Sequence, residues 1–410
     1  MKGACPASGR VGRTAGLVLG CLVGTGCADE EPAIDGTTTR DSAGVTIVES
    51  AEPAWGPSES WSLAATPRRT IGSAAGDPGS QLFQVMGAHR FPDGRIVVAN
   101  AGTDEIRFYD GEGRLDVAVG RDGEGPGEFG YISSLIVIGD SIFAYDSDIE
   151  RMTILSASGD VRGVFRLPPI DDRPPARPLG VFADGSVLAN SPYDFGPDAR
   201  QGFQRLVDTW VRLDPRDGSI TGRVGEFPGH EFYLGEVNGV FGSQVIPFAR
   251  RSVSAVAGDV FYFGSQHAFV IDRHGLDGRL LSSFRIARPP HPATPADLDG
   301  FIANLVERAP SEEVARRLDD HYRAMPLPDR MPAHGRLLVD AVGNLWVEEP
   351  SGRFFAPTTW TVLDPAGQWL GSVGMPDGFT PYQIGDDFVL GRLEDELDVE
   401  YVVVYELLKP

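Results

Sequence analysis

A unit of short apolar strands joined by tight turns recurs along this chain. Each copy contains an apolar strand, a turn built from Asp, Gly or Asn, a second apolar strand and a further hairpin. The first turns of the copies lie at residues 93, 139, 184, 258, 343 and 385, which are 46, 45, 74, 85 and 42 residues apart. A period in the mid-forties is typical of the four-stranded blade of a β-propeller. The two long spacings indicate insertions.

The last copy contains about three strands, so one strand is missing from its outer edge. An unpaired sheet edge invites aggregation. The segment at 60–72 precedes the first complete copy and can supply this strand. The sequence therefore predicts an all-β fold over 46–410: a six-bladed β-propeller of four-stranded antiparallel blades, closed by an N-terminal strand.

A helical insertion is predicted between blades four and five, at about 294–325. Thr294 has the character of an N-cap, and Pro295 follows it at the first helical position. A second helix is predicted to begin near Ser311, with Val314 and Leu318 on one face.

Two segments carry a resemblance to a known family. LLVDAVGNLWVEE and RFYDGEGRLDVAVGRDGEGPGEF resemble NHL-type repeats, and the chain from about 40 to 410 resembles the six-bladed β-propeller lipoproteins of environmental bacteria. The resemblance implies the fold far more than any activity.

The N-terminus is predicted to be an export signal. A basic stretch ends at Arg13, and the apolar run at 15–23 is too short to span a bilayer. Small residues then precede Cys27, so residues 1–27 resemble a lipoprotein signal peptide that ends at its acylated cysteine. Cys21 is an alternative lipid site, and an ordinary secreted protein is a further alternative. The predicted location is the cell envelope, on a membrane facing the periplasm or the exterior.

Residues 28–45 are polar and acidic, so they are predicted to form a flexible tether. The three cysteines of the chain all precede this tether, which excludes disulfides and thiolate metal sites from the body. The formal net charge is -22. Such a charge argues against nucleic-acid binding, which requires cations to neutralise phosphates, and against adsorption to anionic lipid. Membrane contact is therefore expected through the lipid anchor alone.

The order of the strands within a blade predicts where a candidate site lies. The tight turns fall on one face of a meandering blade, and the long segments fall on the other: 121–131, 168–177, 191–206, 226–251 and 289–333. Binding residues favour loops held on a rigid scaffold. The polar residues predicted to end the second strands lie on this face: Asn100, Asp146, Asn190, Ser265, Glu348 and Arg392. They either satisfy the backbone groups of strand ends or bind a hard cation such as calcium, as in calcium-dependent propeller lactonases.

Two functions follow from this pattern. The first is a non-enzymatic binding or scaffold module whose long-loop face takes a protein, peptide or glycan. The second is a metal-dependent propeller hydrolase or lyase, such as a lactonase, with calcium as its cofactor. No H-E-x-x-H or G-x-S-x-G motif occurs, and no catalytic residue is assigned. Convergence of three or more oxygen-bearing side chains would favour the enzyme.

Overall fold

The structure is a computed structural model, and it describes residues 36–56, 58–74, 78–171, 173–191, 200–350 and 358–410. The predicted signal segment, with Cys21 and Cys27, lies outside the described residues. Four short strands precede the main sheets: β1 (Thr37–Ser42), β2 (Val45–Ser50), β3 (Ser62–Leu63) and β4 (Arg69–Ile71). Single 3₁₀ turns cover Pro78–Ser80 and Ala101–Thr103.

The first two sheets are four-stranded and antiparallel, with their strands in chain order. Sheet one contains β5 (Val85–Arg90), β6 (Ile96–Asn100), β7 (Glu105–Tyr109) and β8 (Leu115–Val119). Sheet two contains β9 (Ile132–Ile138), β10 (Ser141–Asp146), β11 (Arg151–Ser156) and β12 (Val161–Arg166).

Sheet three has five strands, so the prediction of four strands in every blade is wrong here. Its strands are β13 (Arg177–Val181), β14 (Val187–Asn190), β15 (Gly202–Leu213), β16 (Ile220–Val237) and β17 (Val240–Gln244). The pairing of β15 with β16 continues from Leu213 and Ile220 out to Gly202 and Leu234. The regions 191–206 and 226–251, predicted as loops, are therefore partly strand.

Sheet four contains β18 (Val253–Ala257), β19 (Val260–Gly264), β20 (Val270–Gly275) and β21 (Leu280–Ile286), and β2 and β1 extend it to six strands. The prediction of four strands in every blade is therefore wrong for this sheet too. Two helices follow, α1 (Pro295–Glu307) and α2 (Glu312–Arg323). The hydroxyl of Thr294 accepts a hydrogen bond from the Asp297 N–H, and the Asp297 carboxylate accepts one from the Thr294 N–H. This reciprocal cap satisfies two backbone donors at the start of α1. The predicted helical insertion is confirmed.

The last two sheets complete the chain. Sheet five contains β22 (Leu337–Val339), β23 (Leu345–Glu348), β24 (Thr359–Leu363) and β25 (Trp369–Gly374). Sheet six contains β26 (Phe379–Ile384), β27 (Phe388–Glu394) and β28 (Glu400–Leu408), and both β3 and β4 pair with β28. The pairing of the 60–72 segment with the last sheet agrees with the sequence prediction.

The core lies between the faces of neighbouring sheets. The second strand of each sheet is a nearly continuous apolar run, as expected where both faces of a strand are covered. Apolar clusters include Ile106 with Ile142 (sheets one and two), Met152 with Val187 (two and three), Trp210 with Phe261 (three and four), Ile271 with Leu345 (four and five), Trp346 with Val389 (five and six) and Leu390 with Ile96 (six and one). Each such side chain stabilises the fold by roughly 1.5–3 kcal/mol when fully buried.

The first strands of successive sheets contact one another. These contacts join β5 to β9, β9 to β13, β13 to β18, β18 to β22, β22 to β26 and β26 to β5. The architecture is therefore mostly β, with several four-stranded antiparallel sheets, and is consistent with a β-propeller. No helix among the described residues is long and apolar enough to cross a membrane.

The chain from β2 to β4, here called the N-terminal strap, runs along the outer edges of three sheets. β2 pairs in parallel with β21 of sheet four. The N–H groups of Ala54 and Trp55 then donate to the Trp369 and Leu370 carbonyls of sheet five, at 2.9 and 2.7 Å. β3 and β4 finally pair with sheet six.

The prediction of a flexible tether extending to residue 45 is wrong for residues 37–45. β1 and β2 form a hairpin whose turn residues, Ala43 and Gly44, have left-handed φ values of 54° and 83°. Ile47 and Val48 of β2 are buried. The apolar TIV segment gains enough by burial to order the hairpin, and the polar β1 strand is held by its pairing with β2.

Candidate functional site

The six predicted site residues lie at one edge of the sheets, where second strands end and first strands begin. We call this edge the long-loop face. Asn100, Asp146, Asn190 and Glu348 are the last residues of their strands, Ser265 follows β19, and Arg392 lies near the end of β27. The predicted placement at strand ends therefore agrees with the structure. Whether these residues form one shared site depends on what each side chain contacts.

Asn100 and Asp146 are fully buried and organise nearby loops. Asn100 Oδ1 accepts a hydrogen bond from the Phe83 N–H at 2.7 Å, and its Nδ2 donates to Thr103 Oγ1 at 2.7 Å. The Asp146 carboxylate accepts hydrogen bonds from four backbone N–H groups, those of Gly130, Tyr131, Asp148 and Ile149. Side chains engaged in this way satisfy loop backbone rather than bind a ligand.

Asn190 and Ser265 also have partners within the fold. Asn190 Nδ2 donates to Asp208 Oδ2 at 2.9 Å, while burial raises the pKa of the Asp208 carboxyl. The Ser265 carbonyl accepts a hydrogen bond from Arg205 Nη2 at 2.7 Å.

Glu348 and Arg392 form ion pairs. Arg336 donates to both Glu348 oxygens, at 3.0 and 2.9 Å, and Arg392 donates to Glu400 at 2.8 Å. Among the residues that the structure describes, no group of three or more His, Cys, Asp or Glu side chains could hold a metal ion. These contacts favour the alternative in which the polar residues satisfy the fold, and they do not support a calcium ring.

A cavity of about 610 Å³ opens on the long-loop face, and Glu348 and Arg392 both line it. Its floor is formed by the ends of sheets four, five and six. Its walls come from the two long insertions, which are the loop 245–249 after β17 and the segment containing α1 and α2. The lining residues include Ile246, Phe248, Ala249, Arg251, Gln266, Phe301, Tyr322, Met331, His334, Arg336, Phe379 and Thr380.

The apolar wall of the cavity is an aromatic cluster that joins the two insertions. The Phe248 ring meets Phe301 of α1 edge to face at 5.6 Å, and Phe301 meets Tyr322 of α2 at 5.0 Å. Arg308, just after α1, forms an ion pair with Glu394 of sheet six at 2.8 Å. The helices are thereby attached both to the β17 loop and to the sheet below.

Two lining residues have left-handed backbone conformations. Phe248 has φ 57° and Gln266 has φ 62°. This region is costly for a residue with a side chain, and it is maintained where the surrounding structure imposes it, often at functional sites. The packing around the cavity therefore fixes the backbone at both residues.

His334 connects the helical insertion to the cavity floor. The ring is fully buried, and its Nε2 accepts a hydrogen bond from the Gln266 N–H at 3.2 Å. The proton is therefore on Nδ1, which donates to the Gly335 carbonyl at 3.1 Å. Burial lowers the pKa of His334 to about 4, so the ring is neutral at physiological pH.

Most charged groups of the lining are paired. Arg336 is paired with Glu348, Arg392 with Glu400, and Glu349 with Arg288 at 2.8 Å. Arg251 differs: within the described part of the chain its guanidinium has no ion pair or hydrogen bond, and the side chain is exposed to solvent. Three Arg and two Glu give the lining a formal charge of 3 − 2 = +1.

Sequence reasoning missed Phe248, Arg251, Gln266 and His334. The available signals were the length of the two insertions and the position of Arg251 directly before an apolar strand. Neither signal shows that the insertions pack against each other, because that contact joins segments about 50 residues apart.

A second cavity of about 590 Å³ lies at the opposite, tight-turn face, between sheets three and four. Its lining includes Asp184, Arg212, Asp214 and Arg216, and these form exposed ion pairs with one another. It lacks the aromatic wall of the first cavity.

The comparisons with known proteins concern the fold. A protein from Bacteroides fragilis that has been assigned as exported is similar over 89% of this chain and 99% of its own, with 15% identity and a TM-score of 0.50. A member of the DUF4221 family from Bacteroides vulgatus is similar over 85% and 99%, with 9% identity and a TM-score of 0.52. A streptogramin B lyase has a TM-score of 0.40, too low to bear on function.

No protein-family model matches the chain, and no curated protein matches it. The similar structures share too little sequence to indicate an activity, so they show the fold alone. Together with the sheets they support a fold of the β-propeller class. The resemblances to NHL-type repeats and to a lipoprotein family stay predictions.

Proposed function

We propose that the six sheets are the blades of a closed six-bladed β-propeller whose last blade is completed by β3 and β4. Two observations support this. The contacts between first strands return from β26 to β5, and an apolar cluster lies between every successive pair of sheets, including six and one. An open arrangement would leave apolar faces of sheets one and six in water.

We propose that the protein is a non-enzymatic binding module of the cell envelope and that its ligand occupies the cavity on the long-loop face. The observation that supports this proposal is the cavity itself. Its volume and its apolar wall, combined with polar groups at fixed positions, match the usual character of sites for small ligands. The ligand can be a free small molecule or the end of a peptide or glycan that enters the cavity.

The chemistry of the lining favours binding over catalysis. A general acid or base must be free to exchange a proton with substrate. His334 is fully buried and uses both ring nitrogens in the fold. Glu348 is held by Arg336, and Glu349 by Arg288 and Thr361. These groups provide a shaped surface rather than reactive atoms.

The experiment uses the chain from residue 28, without the predicted signal and Cys27, because Ile34–Pro410 forms one compact unit. Phenylnaphthylamine, a neutral apolar probe that fluoresces when bound, is titrated into the purified protein. We expect one saturable site. Thr380→Trp fills part of the cavity and should abolish this binding, whereas Thr221→Trp, the same change in the tight-turn cavity, should retain it. Loss of binding in both variants or in neither would place the probe elsewhere and overturn the proposal.

A further inference from the structure

Among the lining residues that the structure describes, one charged group, Arg251, has no ion pair. Arg251 lies two residues before β18, and its backbone N–H donates to Gln266 Oε1 at 2.7 Å. Gln266 is held in turn by His334 and by the Ala333 N–H, which donates to its carbonyl at 2.9 Å. The Arg251 backbone is thus held by Gln266, which the Ala333-His334 segment holds in turn, while the Arg251 guanidinium reaches solvent at the cavity.

Two further arginines, Arg177 and Arg205, lie with Arg251 around His230, although the whole chain is acidic. Desolvation beside the long loops, and then the charges of Arg251, Arg177 and Arg205, lower the pKa of His230 to about 4, although the ring keeps an exposed edge. The chain carries a formal charge of -22, so it repels anions in general. An unpaired guanidinium within such a surface is a local site of attraction for one anionic group.

Part of the lining of the same cavity is apolar. Phe248, Phe301, Met331 and Phe379 contribute to it, and none of them carries a strong hydrogen-bonding group. A ligand in the cavity can therefore pack an apolar body against these side chains and place an anionic end on Arg251.

From these observations we infer that the cavity binds an amphipathic anion of small-molecule size, with its carboxylate or similar anionic group on the Arg251 guanidinium and its apolar body against Phe248, Phe301 and Met331. This inference rests on the proposed function, because it names the ligand class of the same cavity. A free fatty acid and the carboxyl terminus of an apolar peptide both have this chemistry.

The test compares two probes that share one aromatic skeleton. Anilinonaphthalene sulfonate is phenylnaphthylamine with an added sulfonate. We expect the wild-type protein to bind the anionic probe about tenfold more tightly than the neutral one. Arg251→Gln should weaken the binding of the anionic probe by about tenfold and leave the affinity for the neutral probe unchanged.

The matched control is Arg177→Gln. Arg177 also begins the first strand of its sheet at the long-loop face and has no ion pair among the described residues, but it does not line the cavity. This variant should change neither affinity by more than about twofold. The inference is overturned if the wild type binds the two probes equally, or if Arg251→Gln does not change the affinity for the anionic probe. In both cases, binding of the neutral probe shows that the site is intact. Loss of both probes from the wild-type protein contradicts the proposed function instead.

Displacement of the anionic probe separates the two sources of ligand. Dodecanoate should displace it if a free amphipathic acid fits the cavity. An acetylated apolar tripeptide with a free carboxylate should displace it if a peptide terminus fits. The corresponding tripeptide amide should fail in either case, and equal displacement by the amide would contradict the role of the anionic group.

Discussion

Individual polar residues on the long-loop face mostly hold loops in place. Asp146 illustrates this most clearly, since one carboxylate satisfies four backbone N–H groups beside the β9 strand. His334 has a similar role between the helical insertion and sheet four. The sequence predicted where such residues lie, because strand ends are recognisable. Their partners could not be predicted, because those partners come from loops of undefined geometry.

His334 should make the stability of the protein depend on pH. Its pKa is lowered from 6.5 to about 4 in the folded state, so the unfolded state binds more protons between these values. The stabilisation is complete above the unfolded pKa and decreases as pH falls toward the folded pKa. Linkage predicts a free energy of unfolding that is about 2 kcal/mol lower at pH 5 than at pH 7.5 through this residue.

Urea unfolding of the wild type and of His334→Gln at both pH values measures this contribution. Gln can accept the Gln266 N–H hydrogen bond without titrating. His89 and His230, whose pKa values are also lowered to about 4, remain in both proteins. The variant should therefore lose about 2 kcal/mol of the pH dependence. An identical pH dependence in the two proteins would show that His334 is not the titrating group.

At the scale of elements, the N-terminal strap and the two long insertions do most to distinguish this chain from a plain repeat. The strap joins sheets four, five and six through backbone hydrogen bonds, and the Trp55 ring packs 4.7 Å from the ring of Trp61. The Asn238-Gly239 turn between β16 and β17 could have been found in the sequence, because Asn-Gly strongly favours a tight hairpin. The length of the β15 and β16 strands could not have been predicted from the sequence, since it depends on their mutual pairing.

Gly371→Ala should weaken the attachment of the strap to sheet five. A Cβ atom at Gly371 would overlap the Trp55 ring, so the ring or the strand must move. Overpacking of this kind costs about 1–3 kcal/mol in the free energy of unfolding. Gly374→Ala is the matched control: Gly374 lies in the same strand, β25, and an added Cβ there meets nothing within 4 Å. Urea denaturation followed by tryptophan fluorescence compares the two variants, and equal stability would exclude a tight contact at Trp55.

At the scale of the whole molecule, we propose that a lipid anchor attaches the acidic protein to a membrane of the cell envelope. A chain with a formal charge of -22 gains nothing from an anionic bilayer, so this proposal assigns the attachment to the covalent lipid alone. We propose Cys27 as the acylated residue, from the small residues that precede it and the apolar run before them.

Cys27→Ser should move the protein from the membrane fraction to the soluble envelope fraction. Cys21→Ser should leave it in the membrane fraction, because this cysteine is predicted to lie within the signal that is removed. Immunoblots of fractionated cells that produce each full-length variant measure the distribution. Release by Cys21→Ser and retention by Cys27→Ser would move the anchor to Cys21.

The sequence alone determined the repeat and the strand order within most sheets, because alternating apolar strands and Gly/Asp turns are local signals. It also determined the helical insertion through Thr294 and Pro295, and the pairing of 60–72 through the strand that the last copy lacks. The tertiary structure decided the rest. It ordered residues 37–45 on sheet four, extended β15 and β16, and packed Phe248 against Phe301 to form the cavity. These outcomes depend on contacts between distant segments, whose free energy is gained only when both partners are buried together.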